Sequence, residues 1–169
     1  MQGNPREAVL ISYLAGIIDG EGTIRINRCA GDKTLRQLKR KNPIHAGQIS
    51  VGMTSKDVCD LLQSVLGGSV REERVPDGRK VIYRWAITSR PMVIAALNKL
   101  MPYLIVKKEQ AQAVLEFCEY WPDKNVHLAL TPQELQRRED AFWKVRKLNA
   151  VGAPATTERK DIRENEATV

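Results

Sequence analysis

The stretch Leu14-Ala15-Gly16-Ile17-Ile18-Asp19-Gly20-Glu21-Gly22 decides how the chain is read. It closes an apolar run, Ala8–Ile18, that follows Pro5 and Arg6. Proline near the start and Gly20 and Gly22 at the end predict a helix over Arg6–Ile18. Being hydrophobic nearly all round, such a helix packs against more than one surface. The run is too short to span a bilayer, and its flanks, Glu7 and Asp19-Gly20-Glu21-Gly22, do not suit a signal peptide, so no membrane partner is expected. Two acids separated by a glycine fall where helix carbonyls lose their intrahelical partners. Free carbonyls beside carboxylates make an electronegative end suited to a hard cation such as Mg²⁺. Ala15 and Gly16 are small enough for a second backbone to approach. An EF-hand is excluded, because the twelfth loop position counted from Asp19 is Ala30 rather than Glu. Spacing alone leaves a capped core helix with a solvated acid as an equal alternative.

Outward from this stretch, Thr23–Arg28 alternates, with Ile24 and Ile26 on one face and Thr23, Arg25 and Asn27 on the other. The Arg28–Lys41 segment is basic, holding Arg28, Lys33, Arg36, Lys39, Arg40 and Lys41 against Asp32. Gln48–Thr54 alternates again, with Ile49, Val51 and Met53 inward. Ser55 is placed to cap a helix carrying Val58, Leu61, Leu62 and Val65, closed by Gly67-Gly68. Ser69–Val75 and Arg79–Thr88 flank Pro76-Asp77-Gly78, a hairpin signal. In the second arm Val81, Tyr83, Trp85 and Ile87 are expected inward. Helices follow at Pro91–Leu100, Lys107–Tyr120 and Pro132–Leu148. The chain is thus α+β: one antiparallel sheet with an apolar face under helices, and an open face bearing Arg25, Asn27, Gln48, Ser50, Arg71, Lys80 and Arg84. The domain is expected over 1–150, with 151–169 a mobile tail.

Composition agrees. The chain has 169 residues, 43% of them apolar, with 27 Lys+Arg against 20 Asp+Glu, a net charge of +7. That supports one cored domain and a polyanionic partner, and excludes a disulfide miniprotein. Cys29, Cys59 and Cys118 lack metal or disulfide spacing and are read as small core residues in a reducing, intracellular setting. His45 and His127 likewise lack ligand spacing and are expected to be structural or surface groups.

The nine-residue stretch resembles the LAGLIDADG motif of homing endonucleases, in the variant ending Asp-Gly-Glu-Gly. The similarity extends through the αββαββα order to about Tyr120. It includes Tyr83-Arg84-Trp85 and Pro102-Tyr103-Leu104-Ile105-Val106-Lys107. It implies the αββαββα fold, with a four-stranded antiparallel DNA-binding sheet and extra C-terminal helices. One motif per chain implies a homodimer with Ser12, Ala15 and Gly16 in the helix seam, and hence a near-palindromic double-stranded DNA target. By the same resemblance, Glu21 is the metal-coordinating carboxylate, the Gly20 carbonyl a supplementary Mg²⁺ ligand, and Asp19 structural. Lys107 is the active-site lysine beside the scissile phosphate. Ser55 stands at the junction where relatives place a polar residue that positions the attacking water. Many relatives have Gln or Asp there, and the basic residue some carry in the next helix has no match in Asp57-Val58-Cys59-Asp60; Lys56 is the nearby substitute.

The implied activity is Mg²⁺-assisted phosphodiester hydrolysis at a long site, leaving short 3′ overhangs. The Thr23–Ala30 ribbon, about 26 Å at ~3.3 Å per residue, covers about eight base pairs. Arg25, Arg71 and Arg84 suit guanine and Asn27 and Gln48 adenine, with Ser50 and Lys80 on the same face. Arg28, Lys33, Arg36 and Arg40 suit phosphate. Competing readings are an RNA maturase or a non-cleaving binder on the same fold, or a basic ribosome-associated protein.

Overall fold

Each strand buries one parity of side chains, and this sets the layers. The computed structural model describes residues 5–29, 43–73, 80–120 and 130–150. Their order is α1 (Pro5–Glu21), β1 (Gly22–Cys29), β2 (Ile44–Met53), α2 (Lys56–Leu66), β3 (Ser69–Glu73), β4 (Ile82–Ile87), α3 (Arg90–Leu100), α4 (Lys108–Glu119) and α5 (Pro132–Ala150). The strands form one antiparallel sheet in the order β1-β2-β4-β3. Ile24, Ile26, Ile49, Val51, Trp85 and Ile87 point to the helices and are buried. They meet Leu14 and Ile18 of α1, Leu62 of α2, Val93, Leu97 and Leu100 of α3, and Val114 of α4. Each fully buried Leu or Ile contributes about 1.5–3 kcal/mol relative to exposure.

Helix α1 runs to Glu21, beyond the expected stop at Ile18, because Gly20 is tolerated within the last turn. The turn comes at Gly22, where a Cβ would lie 2.6 Å from the Ile18 carbonyl oxygen. Helix therefore passes into strand without a linker, and the end of α1 is rigidly registered to β1. At the end of α2, Gly67 adopts φ 78° and its carbonyl accepts from Trp85 Nε1 at 2.8 Å.

Strand β2 starts at Ile44 rather than Gln48, paired from Cys29↔Ile44 onwards. Gly47 interrupts the apolar alternation there; it is glycine because Cys118 Sγ would lie 2.7 Å from a Cβ. Strand β4 starts at Ile82, so Lys80 and Val81 precede it and Val81 is exposed rather than inward. Ser55 occupies the N-cap backbone position of α2 but its side chain makes no capping hydrogen bond. Cys59 and Cys118 are core residues, and burial pushes the Cys118 thiol up to about 11. Cys29 is exposed at the end of β1, contrary to its expected place in the core.

Helix α5 lies against edge strand β1 and α4. Asn149 Nδ2 donates to the Ile24 carbonyl at 3.0 Å, and Glu139 pairs with Arg28 at 2.8 Å. The open edge is thus covered. Beneath Glu139, His45 is buried against Phe142. Its Nε2 lies 3.3 Å from Glu139 Oε1 without hydrogen-bond alignment, and burial lowers its pKa. His45 is therefore a structural group. His127, the Pro76-Asp77-Gly78 turn and the 151–169 tail lie outside the described residues. No helix among the described residues is long and apolar enough to cross a membrane.

Candidate functional site

Glu21 is the last residue of α1 and is exposed. Gly20 beside it is open, with nothing within 4 Å of a Cβ position. Asp19, one turn-step earlier, is used differently. Its carboxylate accepts from the backbone N–H of Ile105 at 2.8 Å and of Lys107 at 2.9 Å. The Lys107 ammonium in turn donates to the Asp19 carbonyl. Two segments distant in sequence are clamped together: half-buried Lys107 is held at the helix end, while the next residue, Lys108, is exposed on α4. Asp19 is thus structural, as expected, while the exposed carboxylate at this end belongs to Glu21.

Ser55 reaches the same end of the sheet through strand pairing. Gly22 pairs with Val51, so β2 runs out beside the start of β1 and Ser55 follows two residues after Met53. Ser55 is exposed, and its hydroxyl is not spent on a cap. Lys56 next to it is ion-paired to Asp60 at 2.5 Å.

The oxygen donors at the helix end are hard, as Mg²⁺ prefers, but few. Among the described residues no three His, Cys, Asp or Glu side chains converge. One carboxylate from Glu21 and one carbonyl from Gly20 fall well short of an octahedral shell. The donor types suit the ion, but within one chain they are too few to enclose it.

One stripe of α1 is left uncovered by the other described residues. Val9, Tyr13, Gly16 and Gly20 recur at helical spacing on one face, with Val9 69% and Tyr13 50% exposed. Ser12 is exposed beside them, its hydroxyl donating to the Val9 carbonyl. Ala15 is wholly buried within its own chain and cannot line a seam between copies, because its direction on the helix faces the core. Ile105, bonded to Asp19, and Val106 after it are 85% and 69% exposed and add apolar surface next to the helix end.

On the open sheet face Arg25, Asn27 and Gln48 form one network. The Gln48 side-chain oxygen accepts from Arg25 Nε at 2.8 Å and Asn27 Nδ2 at 2.9 Å. Arg84 is held by Glu73, and Arg71 lies directly opposite Arg84 in register. Ser50 sits on this face between Thr23 and Ala86 but is only 4% exposed, a floor residue of a central strand. Lys80 is exposed before β4. Arg28 shares the parity of Ile24 and Ile26, so it faces α5 and Glu139 instead of the open face. Lys33, Arg36 and Arg40 lie outside the described residues.

A cleft of ≈ 490 Å³ runs along the β1 edge from Gly22 and Lys107 past Arg25 and Arg28 to Arg146 and Asn149 of α5. Arg146 and Glu73 carried no signal in the sequence: each is one charge among many until packing or pairing selects it.

No protein-family model matches the chain, and no curated protein is detectably similar to it. Solved structures are. The homing endonuclease I-CvuI in complex with its target is 24% identical, with a TM-score of 0.68 over 86% of this chain and 85% of that one. An archaeal intron-encoded homing endonuclease complexed with DNA is 20% identical, with a TM-score of 0.66 over 91% and 89%. The meganuclease I-SmaMI bound to uncleavable DNA is 17% identical, with a TM-score of 0.63 over 86% of this chain but 46% of that one.

Proposed function

Because the chain has the LAGLIDADG homing endonuclease fold that its Leu14–Gly22 motif resembles, we propose that it is a homodimeric, site-specific endonuclease of double-stranded DNA. The observation that carries this reading is the juxtaposition at the end of α1: an exposed Glu21, with Lys107 clamped beside it through Asp19. A lysine and a carboxylate at one point, next to an open face rich in Arg, Asn and Gln, suit cleavage of a phosphodiester read from the adjacent groove.

The dimer follows from the missing half of the site. One chain corresponds to most of I-CvuI but to about half of I-SmaMI. Packing the Val9-Tyr13-Gly16-Gly20 stripe of two copies together covers exposed apolar surface and brings both Glu21 residues to the dyad. Glu21 and the Gly20 carbonyl of each copy would hold Mg²⁺, which supplies charge neutralisation around the phosphate and acidifies water. Lys107 places its ammonium where charge grows on the phosphate, and Asp19 keeps it there. The Ser55 hydroxyl orients water at the same sheet end. The open face reads bases through Arg25, Asn27, Gln48, Arg71 and Arg84, and each copy covers one half of a near-palindromic site. Short 3′ overhangs are the expected product.

The test is a randomised duplex library incubated with the protein and Mg²⁺, followed by sequencing of cut ends. Paired cuts at one near-palindromic sequence are expected. Retention of a specific duplex without any Mg²⁺-dependent cut would instead establish a binding protein on this fold.

A further inference from the structure

Edge strand β3 ends in an acid, Glu73, on the basic open face, where affinity for a polyanion gives it no purpose. Glu73 pairs with Ile82 across the ladder and stands diagonal to Arg84, whose own partner is Arg71. Arg84 Nε donates to Glu73 Oε1 at 2.6 Å and Arg84 Nη2 to Glu73 Oε2 at 2.9 Å. This is a two-point fork, and it fixes the plane of the guanidinium. The fork uses the Nε edge and leaves both hydrogens of Nη1 and one of Nη2. Beneath the guanidinium is Gly52, where a Cβ would lie 3.5 Å from Nη1 and 3.6 Å from Cζ. No side chain of β2 intervenes, so Arg84 crosses the backbone of the neighbouring strand, held among the described residues by the Glu73 fork.

We infer that Glu73 is a positioning residue for sequence readout, holding Arg84 so that its Nη1/Nη2 edge meets a guanine in the major groove. The inference rests on the DNA reading above. A free arginine on an open sheet samples many rotamers and serves phosphate as readily as base. Locked in one plane it presents two parallel donors, the geometry that matches guanine O6 and N7. The Arg84 hydrogen bonds hold the Glu73 carboxyl below its usual range, so the fork persists across neutral pH. The competing role for Glu73 is simple relief of the Arg71–Arg84 repulsion, and this makes a different prediction.

The experiment measures binding and cleavage by the full-length protein on a panel of duplexes in which each base pair of the selected site is varied in turn. Wild type, Glu73→Gln, Arg84→Lys, Arg84→Ala and the Glu73→Gln/Arg84→Ala double variant are compared. Glu73→Gln is expected to bind DNA at least as well overall, since an anion is lost. Its guanine preference at one position per half-site should fall about 5- to 100-fold, at the position Arg84→Ala also flattens. Arg84→Lys, which keeps the charge and loses the fork, should lose the same preference. The double variant should be no less selective than Arg84→Ala. A Glu73→Gln protein that gains affinity uniformly with an unchanged base profile overturns the inference, as does a change at a position indifferent to Arg84. Wild type without any sequence preference overturns the endonuclease reading itself, a result separate from either.

Discussion

At the C-terminal end of α1 the exposed Glu21 stands on a backbone that is tied down; across the open sheet face many side chains tie down one another. The helix end is fixed by backbone: Gly22 turns the chain under Ile18, and Asp19 holds two N–H groups of the 105–107 segment. The sheet face is fixed by side chains: Gln48 bridges Arg25 and Asn27, and Glu73 clamps Arg84. A site that must stabilise charge at one point needs rigid, unshared groups. A surface that reads a long duplex spreads recognition over many contacts, each worth little alone.

The contrast breaks most easily at Glu21. Glu21→Gln keeps the shape and removes the charge, and cleavage is expected to fall by on the order of 10²–10³ or more while specific binding survives. A gel-shift assay beside a nicking assay checks both halves. Nicking at the wild-type rate would dissolve the distinction between the two regions.

Asp19→Asn comes next. The neutral side chain can no longer accept two charge-assisted hydrogen bonds, so stability should drop by about 1.5–3 kcal/mol in urea unfolding. Lys107 loses its fixed position, and turnover should slow with the base profile unchanged. An altered profile would place Lys107 in the reading surface.

On the sheet side, Arg25→Ala should cost about 1–3 kcal/mol of discrimination at a single position of each half-site, since Asn27 and Gln48 remain paired. Equal loss at every position would make Arg25 a phosphate contact.

The smallest effect concerns the seam between sheet and α5. His45 is held neutral by burial, with the Arg28 and Arg138 charges acting in the same direction and Glu139 opposing them. Its folded pKa lies below the unfolded value near 6.5. Stability is therefore full above that pH and declines below it, by at most about 1.4 kcal/mol per pH unit. Urea unfolding at pH 7.5 and 5.5 should show the decline, and His45→Leu should reduce it. An unchanged slope in the variant would assign the acid sensitivity to other groups.

Most of the frame was legible because alternation is a local signal. Ile24 and Ile26, Ile49 and Val51, and Trp85 and Ile87 occupy the faces their parity demands. The helix-end acids were legible too, through a motif contiguous in sequence. What escaped depends on packing between distant segments. Ala15 is small for the sake of its own core, while Ser12 and Gly16 are exposed. Arg28 reads as a phosphate contact by its place in a basic run, yet its parity turns it to Glu139 on α5. Ser50 alternates correctly and is nonetheless covered, because a small side chain on a central strand is overshadowed by its neighbours. Cys29 is exposed because it shares the parity of Thr23, Arg25 and Asn27 and so lies on the open face of β1.

The proposal that one chain supplies half of a metal site is tested most directly by sedimentation velocity on the cleavage-competent protein. A single species at twice the 19.1 kDa chain mass is expected, with double-strand cutting confined to it. A 19.1 kDa species that cuts both strands would contradict it.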